Sequence, residues 1–395
     1  YCTSNKRYTD VQFFDSSQIS IGANIQYGIA QDFQGNPDTL RLDLYYPNLT
    51  IDTCSKRPFI LLFHGGGFSS GDKQSGDIRD LCIHLAMRGF VCASANYRIG
   101  YNFTEYGQYK ARYRAIQDGH AALRFIVNSA NTVRVDTNWL FVGGQSAGSL
   151  LALGMVYADQ FELDSVSLLY NAISTSAELG NLLTSSNNLT NKYTIKGIFN
   201  NWGGVAKNEI DMDEMLPTIA FHGEQDPTVR IDLDTSFAHY SLRGSRSLHA
   251  ELTGKNICSE LTVDKTGGHG IYRNASSKFR AQRASCFFKR VFCKTCASFY
   301  TTDSVASNCS TSPNLNVNNF DSKIKVFPNP FDKSFRIIGV EGLLDLTICN
   351  SVGQIVYRKE AVDGEVELDL NPGIYFLQAR HLESNTSYST KLIKN

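Results

Sequence analysis

From Trp139 to Ala152 the chain reads WLFVGGQSAGSLLA. An aromatic and aliphatic run meets two glycines, then Gln-Ser-Ala-Gly, then a run of leucine and alanine. Few arrangements suit such a junction. The first run favours a strand and the last a helix. The small residues between them let strand and helix approach closely across a tight turn. The junction predicts a strand–turn–helix corner with Ser146 at its apex, at a helix N-terminus.

The remainder of residues 1–297 fits a sheet built from such corners. RPFILLFHG (57–65) is a solid apolar run, as expected of a strand buried on both faces, and GFVCASANYR (89–98) is another. TLRLDLYYP (39–47) alternates as a strand does. YRAIQDGHAALRFIVNSA (113–130) places Ile116, His120, Leu123 and Val127 on one helical stripe. NWLFVGG (138–144), YTIKGIFNNWG (193–203) and MLPTIAFHG (215–223) read as strands, and AGSLLALGMVYA (147–158) as a helix. SELTVDKTGGHG (259–270) is a strand running into a loop, and SSKFRAQRASCFFKRVF (276–292) a terminal helix. This alternation predicts an α/β fold with a mostly parallel central sheet flanked by helices. Its ligand site belongs beyond the carboxyl ends of the strands. Residues 298–322, rich in Ser, Thr and Asn, read as a linker. From 323 to 395, short alternating runs such as KIKVFPNP, SFRIIGV and GIYFLQARH predict a small all-β sandwich.

Composition sets bounds on function. Apolar residues make up 42% of the chain and charged residues 19%, enough for a large core. Lys plus Arg and Asp plus Glu stand at 38 each, so net charge gives no pull towards nucleic acid or an anionic membrane. No apolar run reaches the length of a transmembrane helix. The chain opens at Tyr1 with no leader-like run, as expected of a processed form or an expressed segment. Ten cysteines point to an oxidising compartment. Their spacing suggests Cys82–Cys92, Cys2–Cys54 and Cys258–Cys286, without fixing connectivity. Cys293 and Cys296 form a CxxC, but no second CxxC or nearby His completes a zinc set, so no metal is expected.

Gly144-Gln145-Ser146-Ala147-Gly148 fits G-x-S-x-G between strand and helix, the setting of an exposed nucleophilic serine. A hydroxyl is a poor nucleophile at neutral pH and needs a base, usually His, oriented by a carboxylate. Asp226 follows one buried strand and His269 lies in a Gly-rich loop after the next. The order Ser146, Asp226, His269 is that of the α/β-hydrolases. Among rivals, His120 reads as a packed helix residue, and His222 as a shaper of the acid loop. His84 and His249 have no supporting context. Asp118 reads as a helix-surface or helix-packing partner and Asp136 as a turn residue. In LLFHGGGFSSGD (61–72), three glycines follow His64 directly after a buried strand. They let backbone N–H groups face a substrate oxygen, and Gly66 and Gly67, with Ala147, form the expected oxyanion hole. His64 is expected to organise that loop and not to act as base.

These stretches resemble the HGGG-bearing carboxylesterases of the α/β-hydrolase superfamily over roughly residues 20–295. The carriers are His64-Gly65-Gly66-Gly67-Phe68, Asn96-Tyr97-Arg98, Gly144-Gln145-Ser146-Ala147-Gly148, His222-Gly223-Glu224-Gln225-Asp226-Pro227 and Gly268-His269-Gly270. Gln145 stands where these families often carry Asp or Glu. The tail is similar to the C-terminal sorting domain of the type IX secretion system, through VFPNPFDKSFRI, DLTICNSVGQIVY, LNPGIYFLQA and the basic end KLIKN. That resemblance implies a Gram-negative bacterium, recognition by the export machinery, and a secreted or surface-attached product.

The expectation is a secreted serine esterase that uses no metal or organic cofactor. Its substrates would be extracellular esters, such as acetyl or feruloyl groups on polysaccharide. A lipase or polyester hydrolase, a serine peptidase on the same fold, or a non-catalytic surface-binding module are the alternatives. Residues 159–192 form either a cap over the site or a decoration away from it. Phe68 and Trp202 either wall the substrate pocket or pack in the core.

Overall fold

Phe59, Leu61 and Phe63 side with one core and Ile60 and Leu62 with another, so a single apolar run is split by the period of two of a strand. In the computed structural model this run is β3, near the middle of a nine-stranded sheet. The structure describes all residues except 1, 3–5, 212–213, 238–239, 272–275, 303–308, 310–324, 339–341, 351–354, 363–364 and 382–386. The chain divides into two units, Tyr1–Pro313 and Asn314–Asn395.

The first unit opens with β1 (Ile19–Gln31) and β2 (Pro37–Pro47), an antiparallel hairpin. Then come β3 (Arg57–Phe63), α1 (Gly76–Ala86), β4 (Val91–Ala95), α2 (Glu105–Asn128), β5 (Val135–Gln145) and α3 (Ala147–Tyr157). After α4 (Gln160–Leu168) and α5 (Thr175–Leu179) follow β6 (Ile195–Asn201), β7 (Gly204–Ala206), β8 (Thr218–Gly223), β9 (Leu233–Phe237) and β10 (Tyr240–Gly244). The unit ends with α6 (Ser245–Gly254), β11 (Ser259–Asp264), α7 (Ser276–Phe292) and β12 (Phe299–Thr302). Strand order is β1-β2-β4-β3-β5-β6-β8-β11-β12, with β7, β9 and β10 in a small separate sheet. The hairpin pairs antiparallel with β4, and every later pairing in the large sheet is parallel. This mixed sheet flanked by helices is the α/β-hydrolase fold. Every residue of β3, β4, β8 and β11 is buried, and β3 and β4 accordingly read as nearly continuous apolar runs. Helices α2 and α3 cover one face, and α1 and α7 the other.

Helix α2 starts well before the apolar stripe that betrays it. Thr104 caps it by accepting a hydrogen bond from the Gly107 N–H at 3.0 Å. Residues 159–192 lie along α2 and β1. Gln117 donates to the carbonyls of Leu179 and Gly180 at 3.0 and 2.9 Å, and the Ile29 N–H donates to Ser186 O at 3.0 Å. The stretch read as a linker from 298 begins as sheet, because Phe299–Thr302 pairs in parallel with Glu260–Val263. Most of the remainder lies outside the described residues.

The disulfides differ from the pairs suggested by spacing. The bridges are Cys2–Cys293, Cys258–Cys296 and Cys286–Cys309, with Cα separations of 5.7, 5.9 and 5.1 Å. Cys82 and Cys92 are unbridged thiols packed as small apolar residues in the core, and Cys54 is also free. The CxxC is therefore shared between two crosslinks to distant partners.

In the second unit, β13 (Lys325–Phe327), β14 (Ser334–Ile338), β15 (Leu344–Asn350), β16 (Ile355–Val362), β17 (Glu365–Glu367), β18 (Gly373–His381) and β19 (Ser387–Lys394) form two sheets, β13-β14-β17 and β16-β15-β18-β19. Both contribute to one core, in which Leu344, Leu346 and Ile348 alternate inward from β15 and meet Phe335 and Val366. Among the described residues no helix is long and apolar enough to cross a membrane.

Non-reducing peptide mapping is expected to recover these three bridges. Replacing Cys286 and Cys309 together by Ser, which opens a loop of 23 residues, should lower unfolding stability by about 3 kcal/mol. Denaturant titration of the oxidised protein measures it.

Candidate active site

Strand β5 carries Gly143-Gly144 just before its last residue, Gln145, because larger residues would collide there. A Cβ on Gly144 would lie 2.4 Å from the Gly148 carbonyl carbon, and one on Gly148 would lie 2.2 Å from Phe63 O. Ser146 turns the corner with φ 53° and ψ −123°, a conformation that L-residues rarely adopt. The turn is held on both sides. The Ser146 N–H donates to Asn201 O at 3.0 Å, while Ser146 O accepts from the N–H groups of Ser149 and Leu150 as α3 begins.

Asp226 follows β8 and His269 follows β11, in the loop that contains Gly267, Gly268 and Gly270. Because β5, β8 and β11 run parallel in one sheet, the three side chains meet beyond the same edge. The Ser146 Oγ lies 2.7 Å from His269 Nε2, and His269 Nδ1 lies 2.8 Å from Asp226 Oδ2. The other carboxylate oxygen, Oδ1, accepts from the N–H groups of Thr228 and Val229 at 2.8 and 3.0 Å. Burial by itself would raise the Asp226 pKa. Contacts from His222 and His269 and the two N–H bonds outweigh it and hold the carboxyl well below the usual range. His222 shapes this loop: Nε2 lies 2.8 Å from Val229 O and 3.3 Å from Asp226 Oδ2, and Nδ1 lies 2.6 Å from Ser245 Oγ.

The glycines after β3 form a tight turn. Gly66 and Gly67 have φ of 121° and 62°, and Gly66 O accepts from the Ser69 and Ser70 N–H groups at 3.0 Å each. A Cβ on Gly66 would lie 2.1 Å from Ser70 O, so only glycine fits. Gly65 abuts the corner, where an added Cβ would lie 3.4 Å from that of Ser146. Among the described residues none accepts a hydrogen bond from the N–H of Gly66, Gly67 or Ala147. His64 is buried, stacks on Tyr97 at 4.4 Å, and has Nδ1 2.7 Å from Gly65 O. Burial lowers its pKa.

Trp202, just past β6, lines an open cleft of about 810 Å³ together with Asp77, Gln145, Thr266, His269 and Ser276. Its ring meets the His269 ring edge-on at 6.5 Å. Phe68, expected as a possible pocket wall, is instead fully buried and packs edge-on against Tyr97 at 6.1 Å. Its φ of 60° turns the side chain inward under the glycine loop, into the core shared with α2. No residue of 159–192 lines this cleft, and the segment packs along α2 and β1.

The rival residues are accounted for elsewhere. His120 is buried with Nδ1 2.6 Å from Tyr193 Oη, and burial pushes its pKa down to about 3. His249 lies 2.8 Å from Ser259 Oγ and is pushed down to about 4, again by burial. Asp118 is a buried partner of Arg98 at 2.8 Å, and Asp136 accepts from the Asn138 N–H within its turn. Sequence reasoning missed Asn201. Its carbonyl holds the Ser146 N–H, and its side-chain amide donates to Gly144 O at 2.6 Å. The only hint was the polar pair Asn200-Asn201 closing an apolar strand.

Gly148→Ala forces α3 away from the ends of β3 and β5. A loss of about 1–3 kcal/mol in unfolding stability is expected, measurable by thermal or urea unfolding.

Residues 42–199 match the BD-FAE family, and residues 325–395 match the secretion system C-terminal sorting domain. Among curated proteins, the chain is 29% identical over 166 residues to the neuroligin-like protein glit-1 of Caenorhabditis elegans, covering 37% of this chain and 22% of that one. It is 32% identical over 110 residues to esterase LipI of Mycobacterium tuberculosis, covering 28% and 31%. The matches thus span between a fifth and a third of those relatives' lengths. Similar solved structures include a butyrate-bound esterase of the planctomycete Thermogutta terrifontis, at 18% identity and TM-score 0.49, covering 72% of this chain and 97% of that one. A bacterial heroin esterase is similar at 18% identity and TM-score 0.44, covering 70% and 86%. The chain carries a BD-FAE domain of α/β-hydrolase type and, behind it, a C-terminal sorting domain that marks it for type IX export to the cell surface or the medium.

Proposed function

We propose that the protein is a carboxylic ester hydrolase in which Ser146, His269 and Asp226 form the catalytic triad. The observation that carries this reading is the hydrogen-bonded line from Ser146 Oγ through His269 to Asp226, at 2.7 and 2.8 Å. His269 Nε2 accepts the hydroxyl proton as Ser146 Oγ attacks the ester carbonyl. Asp226, ionised because its carboxyl is held so low, keeps the Nδ1 proton of His269 in place and offsets the charge of the imidazolium. The N–H groups of Gly66, Gly67 and Ala147 receive the oxyanion. His269 then passes the proton to the leaving alcohol; next it takes a proton from the water that attacks the acyl-serine and returns it to Ser146 Oγ as the acid departs.

The cleft supports a substrate with a bulky alcohol. It is open, about 810 Å³, and lined by polar groups with Trp202 as the large apolar wall. Together with the sorting domain, this favours extracellular esters such as acetyl or feruloyl groups carried on polysaccharide.

Ser146→Ala tests the reading directly. On p-nitrophenyl acetate it should lower kcat by about four to six orders of magnitude with the fold unchanged. A folded variant that keeps wild-type turnover would refute it. The pH profile provides a second check. Protonated imidazole cannot act as base, so turnover should fall as pH drops from about 8 to 5. Asp226 stays ionised over that span, so the acid limb should follow a single proton. A flat profile, or a two-proton limb, would contradict the assignment.

A further inference from the structure

Arg280, on α7, is fully buried, and its guanidinium reaches the end of β6, α1 and the first residue of its own helix. Nη1 donates to Asn201 Oδ1 at 2.9 Å. Nη2 donates to Asp77 Oδ1 and, at 3.2 Å, to Ser276 Oγ. Cζ lies 4.9 Å from the centre of the Trp202 ring. Removing a buried cation's partners is costly, so such a network holds its members in one geometry.

The consequence runs through Asn201. A guanidinium only donates, so it fixes the acceptor end of the Asn201 amide towards itself. The Nδ2 end must then face Gly144 O, where it donates at 2.6 Å. The backbone of Asn201 accepts the Ser146 N–H at 3.0 Å. Ser149 Oγ joins the same cluster, donating to Gly144 O at 2.6 Å and accepting from the Asn201 N–H at 2.9 Å. Both sides of Gln145 are thereby tied to one residue that Arg280 orients. The next residue, Trp202, has φ 39° and carries the ring that meets His269 at 6.5 Å. Arg280 stacks on that ring.

We propose that Arg280 is a positioning residue for ester hydrolysis: through Asn201 it holds the nucleophile turn, and through Trp202 it holds the wall beside His269. This rests on the reading of the site as a serine esterase. Lysine keeps the charge but has neither the planar fork nor the stacking face, so it cannot hold both branches.

The test uses the full chain as wild type, Arg280→Lys, Asn201→Ala and the double variant. Four quantities are read: kcat and KM on p-nitrophenyl acetate, the rate of Ser146 phosphorylation by diethyl p-nitrophenyl phosphate, and the folded fraction by circular dichroism. Arg280→Lys should stay folded, with kcat and the phosphorylation rate both down about 10- to 100-fold and KM within about twofold of wild type. The double variant should be no slower than the worse single one. Wild-type rates in folded Arg280→Lys would overturn the inference. So would losses that multiply in the double variant, or a loss that merely follows the unfolded fraction. If Arg280→Lys does not fold, Arg280→Gln with Asp77→Asn removes both charges together and is judged by the same rates. Failure of the wild type itself to take up phosphate at Ser146 would sink the esterase reading, a result distinct from any of these.

Discussion

The site depends on how closely α3 packs against the ends of β3 and β5. Glycine at 144 and 148 leaves no Cβ between helix and strand, so their backbones come into contact. That approach forces Ser146 into its left-handed conformation, a state that persists only where surrounding bonds over-determine it. The carbonyl of Asn201 and the first turn of α3 supply those bonds. The same close packing brings the glycine turn after β3 against the serine. The glycine turn and the serine corner are therefore set by one packing event.

A carboxylate buried beside a histidine is costly unless hydrogen bonds satisfy it. Asp226 meets this condition with two N–H donors and two imidazoles, and the balance favours its charged form. His222 fastens the acid loop to Ser245 and to the carbonyl of Val229. The loop that carries the carboxylate is thus braced independently of its bond to His269. Beside Trp202, Arg280 is matched by Asp77 and by the amide of Asn201, so its charge is compensated locally.

The crosslinks act away from the chemistry. Cys2, Cys258 and Cys286 each bind a cysteine lying at or beyond the end of α7, so the N-terminus, β11 and α7 all secure the last part of the hydrolase unit. Such bridges persist only in an oxidising environment, which accords with the export signal behind them.

Much of this was legible in the residues because local patterns carry it. Buried strands read as apolar runs, and α2 showed its stripe. The Gly-x-Ser-x-Gly corner announced itself because only small residues survive such an approach. Ser146, Asp226 and His269 were singled out by chain order and by their places after strands, and the fold brings the three side chains together. Contacts between distant segments were not legible. Cysteine spacing misdirected all three pairings, because bridges form between residues that the fold brings together and not between sequence neighbours. Phe68 could be read as pocket wall or core, and only the fold, which buries it against Tyr97, decided for the core. The segment 159–192 had the length of a cap, but only its hydrogen bonds to α2 and β1 decided where it lies. Asn201 and Arg280 were invisible for the same reason: their importance comes from partners 57 residues apart, between Asn201 and Gly144, and 79 apart, between Arg280 and Asn201. The sequence by itself determined the strand–helix alternation and the residue types of the site, since these follow from local sterics and periodicity. Only the tertiary structure decided which of those residues meet, because that depends on packing summed over the whole sheet.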